Sequence, residues 1–372
     1  MAKLAQQQQP FTPDAVTPPG DTLRETIEHT GMTQVELAER TGLDKKTINL
    51  IVQGKAPVTQ ETALAFEKVF GLPARFWMAL ETQYAEQQAR SLQRRTQPKC
   101  VAWARRFPYA QMCKWSWVPP TQSDEEKCQH LLSFFGVAAP ENFDSIYGEL
   151  SLNYRKSPKV KQKAELLAAW LRAGEMEALK TQTGSEFDEP LFLKNLDGIR
   201  KLTTMEEPNE IVAKIKALCA DAGVIFVMVP ELPGLGISGV MRWLNKRPLI
   251  QQCLRFRTND QFWFTFFHEA RHVLQKCKKE IFVEGEGLEA ERADCERDAN
   301  DFAGEFLIPS AQYGTFRKMK AEPTSQDIRA FALSIGVHPA IVAGRLQRDN
   351  VLSWSHPAKN LKVKYRWAEK NE

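Results

Sequence analysis

The chain has 372 residues, enough for two to three domains at roughly 150 residues each, and its 43% hydrophobic and 26% charged content excludes wholesale disorder. A formal charge of +4 is too small to name a partner. No apolar run reaches the roughly 18 residues of a membrane span, and the opening MAKLAQQQQP lacks the apolar core of a secretion signal, so a cytoplasmic protein with no membrane partner is expected.

Residues 1–19 are rich in Gln and Pro without hydrophobic period and read as a flexible leader. From about Asp21, short helical patterns close at Gly31, Gly42, Gly54 and Gly71, and a fifth starts near Pro73. Five short helices make a compact α-domain over 20–88. Between Gln87 and Ser123 there is no acidic residue, whereas Arg90, Arg94, Arg95, Lys99, Arg105, Arg106 and Lys114 alternate with aromatics. This opens a basic, then helical, connector over 89–220, with helices such as Ala164–Leu179 and Asn209–Ala220. The cysteines at 100, 113, 128, 219, 253, 277 and 295 form no C-x-x-C, which suggests neither a disulfide framework nor a thiolate zinc site; reduced thiols are expected.

At Gly223 the period changes. Val224–Val229, Gly236–Trp243 and Pro248–Leu254 read as three strands of a small antiparallel sheet. A helix follows from about Asp260 to Lys276, then another from about Glu289 to Leu307, stopped by Pro309. Residues 324–347 read as a helix pair broken at Gly336. The third domain therefore spans 221–350, and 351–372 is a basic tail. The expected fold class is α+β: an all-α N-terminal domain, a helical connector, and a C-terminal domain with a small sheet.

Two constellations carry chemistry. The first is a helix-turn-helix. Thr33 and Glu36 form a capping box, Asp44 caps the next helix, and Gly42 supplies the positive φ of the turn. Val35, Leu37, Ala38, Ile48 and Ile51 form its small core. In such a unit the second helix enters the major groove, which assigns base or phosphate contacts to Asp44, Lys45, Lys46, Thr47 and Asn49, with Gln34 on a phosphate. The segment MTQVELAERTGLDKKTINLIVQGKAPVTQETALAFEKVFGLPARFW resembles the Xre/HigA-type repressors and antitoxins, over roughly 18–85. The resemblance implies a homodimer on an inverted-repeat operator in double-stranded DNA, and leaves room for a toxin partner. Local charge is modest, so the basic connector is expected to add phosphate contacts.

The second is H-E-x-x-H at His268, Glu269 and His272, for which composition alone leads one to expect roughly 0.01 occurrences. The i, i+4 spacing puts both imidazoles on one helix face, where they can grip one Zn2+ ion, and Glu269 beside them can act as proton carrier. A third ligand is expected on the next helix. A stripe of Ala293, Glu296, Asn300, Ala303 and Leu307 is taken as its buried face, which selects Glu296 from seven acids and sets Asn300 to orient a ligand histidine.

The segments GVIFVMVPELPGLGISGVM, FTFFHEARHVL, ERDANDFAGEFLIP and IGVHPAIVAGRLQ, over about 223–347, resemble the ImmA/IrrE zinc metallo-endopeptidases. That resemblance implies a gluzincin-like fold, the ligands His268, His272 and Glu296, and Glu269 as general base. Arg271 departs from the small residue often found there and bears on access to the cleft. His338 would serve as an oxyanion partner or, as is commoner for such a residue, as a helix cap. The expected function is a regulator that cleaves itself or a partner protein to relieve repression. The alternatives are an antitoxin and autorepressor whose peptidase-like domain only senses or binds, and a general protease tethered to DNA; in each case the protein is expected in the cytoplasm, at the bacterial nucleoid when bound to DNA.

Overall fold

The computed structural model describes residues 17–95, 97–155, 164–181, 186–275, 288–320 and 322–367; most of the expected leader lies outside them. The chain divides into two units, one ending at Lys99 and one beginning at Cys100.

The first unit contains α1 (Pro19–His29), α2 (Gln34–Thr41), α3 (Lys45–Val52), α4 (Gln60–Phe70) and α5 (Ala74–Arg95). Local chemistry sets the helix ends. The Thr33 hydroxyl accepts the Glu36 N–H at 3.1 Å, and the Asp44 carboxylate accepts the Lys46 N–H at 3.0 Å. Gly42 takes φ 72° between α2 and α3, where a Cβ would strain the chain. The capping box is only half made, because the Glu36 side chain pairs with Arg40 instead of reaching back. Leu37, Ile48, Ile51, Leu23 and Phe66 bury their side chains, each contributing about 1.5–3 kcal/mol, with Trp77 edge-on to Phe66 at 5.2 Å. Val35 is not part of this core: it is 44% exposed, since the helical period turns it away from Leu37 and Ala38.

The chain continues through α6 (Gln97–Ala104), α7 (Tyr109–Lys114), α8 (Asp124–Phe135), α9 (Pro140–Arg155), α10 (Ala164–Leu179), α11 (Glu189–Lys201) and α12 (Pro208–Asp221). Then come β1 (Ile225–Met228), β2 (Gly239–Leu244), β3 (Arg247–Gln252), α13 (Asn259–Leu274), α14 (Leu288–Leu307), α15 (Ser310–Met319), α16 (Ser325–Ile335) and α17 (Pro339–Arg348).

The sheet order is β1-β3-β2. β2 and β3 form an antiparallel hairpin through Asn245 and Lys246, both at positive φ, as a two-residue turn requires. β1 runs parallel to β3, with Phe226 opposite Ile250, so the sheet is mixed and not antiparallel. The long connection from β1 through 229–238 places β2 on the outside, and β2 becomes an edge strand.

Both faces of the sheet are covered, as the side-chain alternation requires. Phe226 and Ile250 pack into a core built from α11 to α17. Ile225, Val227 and Leu249 pack into a second core with Trp170 of α10 and the aromatic cluster Trp103, Phe107, Phe135 and Phe143. Of the helices expected to connect domains, α11 and α12 therefore join the core on one face of the sheet, while α6 to α10 form the layer that closes the other. A polar node pins that layer. Arg242 of β2 bonds the Glu175 carboxylate at 2.5 Å and the Leu171 carbonyl at 2.6 Å, and buried Gln251 donates to the Trp170 carbonyl at 2.7 Å.

Two further features differ from expectation. Cys100 of α6 and Cys128 of α8 are joined as a disulfide across the second core, with Cα atoms 5.8 Å apart. The fold brings the two cysteines together, and a spacing of 28 residues in sequence carries no sign of it. The expected tail is also part of the fold: Leu352, Ala358, Leu361 and Tyr365 are buried. Asn259 donates its N–H to the Val363 carbonyl at 3.0 Å, and Lys362 pairs with Asp260 at 2.7 Å. The tail thereby fastens the first turn of α13. Among the described residues no helix is long and apolar enough to cross a membrane.

Candidate functional site

In the first unit, α3 presents Lys45, Lys46 and Asn49 to solvent, with Thr47 and Gln34 half-buried. Asp44 is spent on the helix cap, so its carboxylate serves the backbone and not a base. The Asn49 carbonyl accepts the Gln53 amide at 3.1 Å, which adds Gln53 to this face; the i, i+4 spacing is the signal for it. The basic stretch offers less to DNA than its composition suggests. Arg90 pairs with Glu86, Arg105 with Asp124, and Arg106 with Glu165.

In the second unit, α13 turns Trp263, Phe266, Phe267 and Ala270 into the core and leaves Gln261, Phe264, His268 and His272 half-buried on the opposite face. α14 packs antiparallel to it, as Gln275 meets Cys295, His268 meets Asn300, and Phe267 meets Phe306. At this seam His268, His272 and Glu296 converge. The two Nε2 atoms are 3.1 Å apart, and the Glu296 oxygens lie 3.3 Å from His268 Nε2 and 3.4 Å from His272 Nε2. Two ligands about 2.0–2.1 Å from an ion at the tetrahedral angle stand about 3.4 Å apart, so these separations suit one small cation.

Glu296 does not reach this position through a buried stripe. Its side chain is 60% exposed, and the buried face of α14 is Ala299, Ala303 and Leu307. It is selected because it lies level with the two histidines on the flank that faces α13.

The outer partners orient the imidazoles. His268 Nδ1 lies 3.2 Å from Asn300 Oδ1, the role expected of Asn300. His272 Nδ1 lies 2.9 Å from Gln275 Oε1, and the Gln275 amide donates to the Cys295 carbonyl at 3.1 Å. That carbonyl can only accept, so the Gln275 oxygen must face His272, whose Nδ1 must donate; this assignment leaves the lone pair on Nε2. Gln275 was absent from the sequence reading, although it stands one turn after His272. Arg271 is drawn aside by Asp298 at 2.7 Å and lies over the Phe302 ring. His338 caps α17, accepting the Ala340 N–H at 3.1 Å, and meets Asn259; it takes no part at this site.

Glu269 is buried, 6% exposed, against β2. A Cβ at Gly239 would stand 2.7 Å from the Thr265 methyl and 3.0 Å from the Glu269 carboxylate, so only glycine lets the strand come this close. Burial raises the Glu269 pKa; the two imidazoles and a backbone hydrogen bond from Met241 oppose it. With the rings protonated and no metal between them, His268 and His272 donate hydrogen bonds to Glu296 and hold its carboxyl well below the usual carboxylate range. Burial alone would lower the His272 pKa, but Glu296 and Glu269 outweigh it and the net shift is upward.

Residues 23–77 match the helix-turn-helix family model, from α1 into the first turn of α5. The chain matches no curated protein and no solved structure. The matched segment supports a DNA-binding transcriptional regulator.

Proposed function

We propose that this regulator carries a zinc-dependent endopeptidase in its second unit, which cleaves the chain itself or a partner regulator to relieve repression. The observation that carries this reading is the meeting of His268, His272 and Glu296 at single-ion spacing beside the buried carboxylate of Glu269. Two imidazoles and one carboxylate are a donor set that zinc enzymes use. The resemblance of 223–347 to the ImmA/IrrE peptidases supports the same class, and a homodimer on an inverted repeat belongs to the reading of the first unit.

Bound zinc would polarise a peptide carbonyl. The chain's own residues do the rest. Glu269 takes a proton from the attacking water and returns it to the leaving amine, and a carboxylate with raised proton affinity suits both transfers. Its slot under β2 keeps it from turning away. β2 offers the peptide a track. Cys253 donates to the Ser238 carbonyl, so Val240 and Arg242 are the residues hydrogen-bonded to β3. The backbone groups of Gly239 and Trp243 and the Met241 carbonyl point to the free edge, where an extended peptide can add as a further strand, while the Met241 N–H serves Glu269.

The test is an operator-driven reporter with wild type and Glu269→Gln, alongside zinc content. The Gln variant should keep zinc and DNA binding and lose signal-dependent derepression. Normal induction by a zinc-loaded Gln variant would remove proteolysis as the switch and favour a sensor or antitoxin.

A further inference from the structure

Two stretches of the second unit contain no acidic residue: 254–259, LRFRTN, and 352–367, LSWSHPAKNLKVKYRW. They are far apart in sequence, and the fold joins them. Thr258 and Lys364 form an isolated antiparallel bridge. The Tyr365 N–H donates to the Arg257 carbonyl at 2.8 Å, and the Val363 N–H to the Asn259 side-chain oxygen at 3.0 Å. The join sorts the side chains. Tyr365 turns inward, its ring 5.6 Å from that of Phe262, so Lys364 and Arg366 on either side of it turn out to solvent. Arg255 and Arg257 are exposed on the facing turn, which the Arg257 N–H closes on the Leu254 carbonyl at 2.9 Å.

Four cations are thus gathered with little to neutralise them. None has a carboxylate partner among the described residues; Arg255 donates to the Gly236 carbonyl instead. The acids that border the join are engaged elsewhere. Asp260 is buried and pairs with Lys362 at 2.7 Å, and Glu231 accepts the Trp367 indole N–H at 3.0 Å. Soluble surfaces ordinarily intersperse both signs, so four like charges on a joined pair of acid-free stretches mark a surface for an anion. Arg257 also sits at φ 55°, which glycine adopts freely and arginine only at a cost; such strain gathers at functional positions. All four stand in the open, on a turn and the chain paired to it, which suits a polymer of charge better than one enclosed ion. Phe256 and Trp354, exposed rings of the two stretches, each carry a cation over one face, Arg255 at 4.7 Å and Lys362 at 5.3 Å. Rings used this way support the charges and leave less surface for bases to stack on, which favours a duplex over a single strand.

We propose that Arg255, Arg257, Lys364 and Arg366 form a second DNA contact of this chain, a phosphate-binding ridge that holds duplex DNA without reading its sequence. The ridge supplies backbone contacts that the 87–123 stretch offers poorly, because Arg90, Arg105 and Arg106 are committed to Glu86, Asp124 and Glu165. It goes beyond the endopeptidase reading and does not depend on it.

The test is the salt dependence of binding. Full-length protein is titrated by fluorescence anisotropy onto a labelled duplex of about 40 base pairs and arbitrary sequence, between about 50 and about 200 mM salt. Each phosphate contact adds about 0.9 to the slope of log K against log salt, so Arg257→Gln, Lys364→Gln and Arg366→Gln together should make that slope shallower by about 2.7. Binding at the low-salt end should weaken at least about 10-fold. Lys201→Gln, Lys216→Gln and Lys318→Gln together remove the same charge from exposed positions elsewhere in the unit and should shift the slope by less than about 1. Thermal melts show that the variants are folded, and Arg366→Gln alone, with an expected shift of about 0.9, is the check if the triple variant melts early. An unchanged slope in the ridge variants, or an equal loss in the control, overturns the proposal, the second outcome leaving only net charge. Sedimentation with vesicles of phosphatidylcholine and phosphatidylglycerol is the other arm. Vesicle binding that the ridge substitutions abolish while the DNA slope stays the same assigns the ridge to a lipid surface and overturns the proposal as well. No step reads cleavage, so the result is separate from the fate of Glu269→Gln.

Discussion

Removing the Glu296 carboxylate tests the metal site without disturbing the fold around it. Both its oxygens face imidazole nitrogens, at 3.3 and 3.4 Å, and it is the one anion of the triad. Its side chain is 60% exposed, so losing its pairing with the two histidines in Glu296→Ala should move metal-free stability by no more than about 1 kcal/mol. Zinc affinity should respond in a graded order set by distance from the ion. Asn300→Ala and Gln275→Ala each remove the acceptor that fixes one Nδ1–H, leaving the ligand but freeing its tautomer. Loss of such an outer partner costs about 10–100-fold, or about 1.4–2.7 kcal/mol. Glu296→Ala takes away a direct ligand and should exceed about 100-fold on the same scale. Asp298 stands one link further out, holding Arg271 at 2.7 Å and supporting Gln275, so Asp298→Ala should cost less than about 10-fold. Titration against a chromogenic chelator gives all four constants, and thermal melts of the metal-free proteins separate ligand loss from unfolding. Zinc binding by Glu296→Ala as tight as by Asp298→Ala would refute the assignment of the third ligand.

Two other expectations concern parts of the chain away from the metal. Replacing Lys45, Lys46 and Asn49 together by Ala should abolish operator preference in a gel-shift titration and flatten the salt dependence of what binding remains, with Asn49 alone accounting for about 1–3 kcal/mol at one base pair; undiminished specific binding removes α3 as the reading helix. In denaturant without reductant, peptide mapping should find Cys100 and Cys128 as one disulfide-linked pair, and reducing that bond, which closes 28 residues, should destabilise the second unit by about 3.5 kcal/mol; alkylation of both as free thiols at the outset would show that the two sulfurs are not joined.

Helix ends were legible wherever a short-range device makes them. Thr33, Asp44 and Gly42 set α2 and α3, and Pro309 follows the end of α14, because capping and ring sterics act within one turn. The limits of α10 were legible from its apolar period alone, but what it covers was not. Nothing within Ala164–Leu179 says that its face meets Ile225, Val227 and Leu249 from two strands further along the chain. The same gap explains the sheet. The Asn245-Lys246 turn dictates that β2 and β3 are antiparallel neighbours, whereas the parallel partner of β3 depends on where the helices on each face send the chain.

The metal ligands lie on the legible side of that line. Two come from one helix at i and i+4, and the third from the next helix in the chain, so only one contact had to be guessed. Even there the choice of Glu296 rested on a stripe that the structure divides. Ala303 and Leu307 face the core, Glu296 and Asn300 face α13, and Ala293 is exposed. A helix at 100° per residue drifts across such a stripe within three turns, so a run of i+3 and i+4 steps holds two faces at once. What distinguishes them is the partner helix: the acid that matters is the one level with His268 and His272. The close packing at Gly304 follows from the same registration. A glycine inside a helix costs about 1 kcal/mol against alanine, and in sequence it is only a weak point of α14. On the seam with α13, one turn after Asn300, the missing side chain is what leaves room for the Arg345 guanidinium, which a Cβ would meet at 2.8 Å.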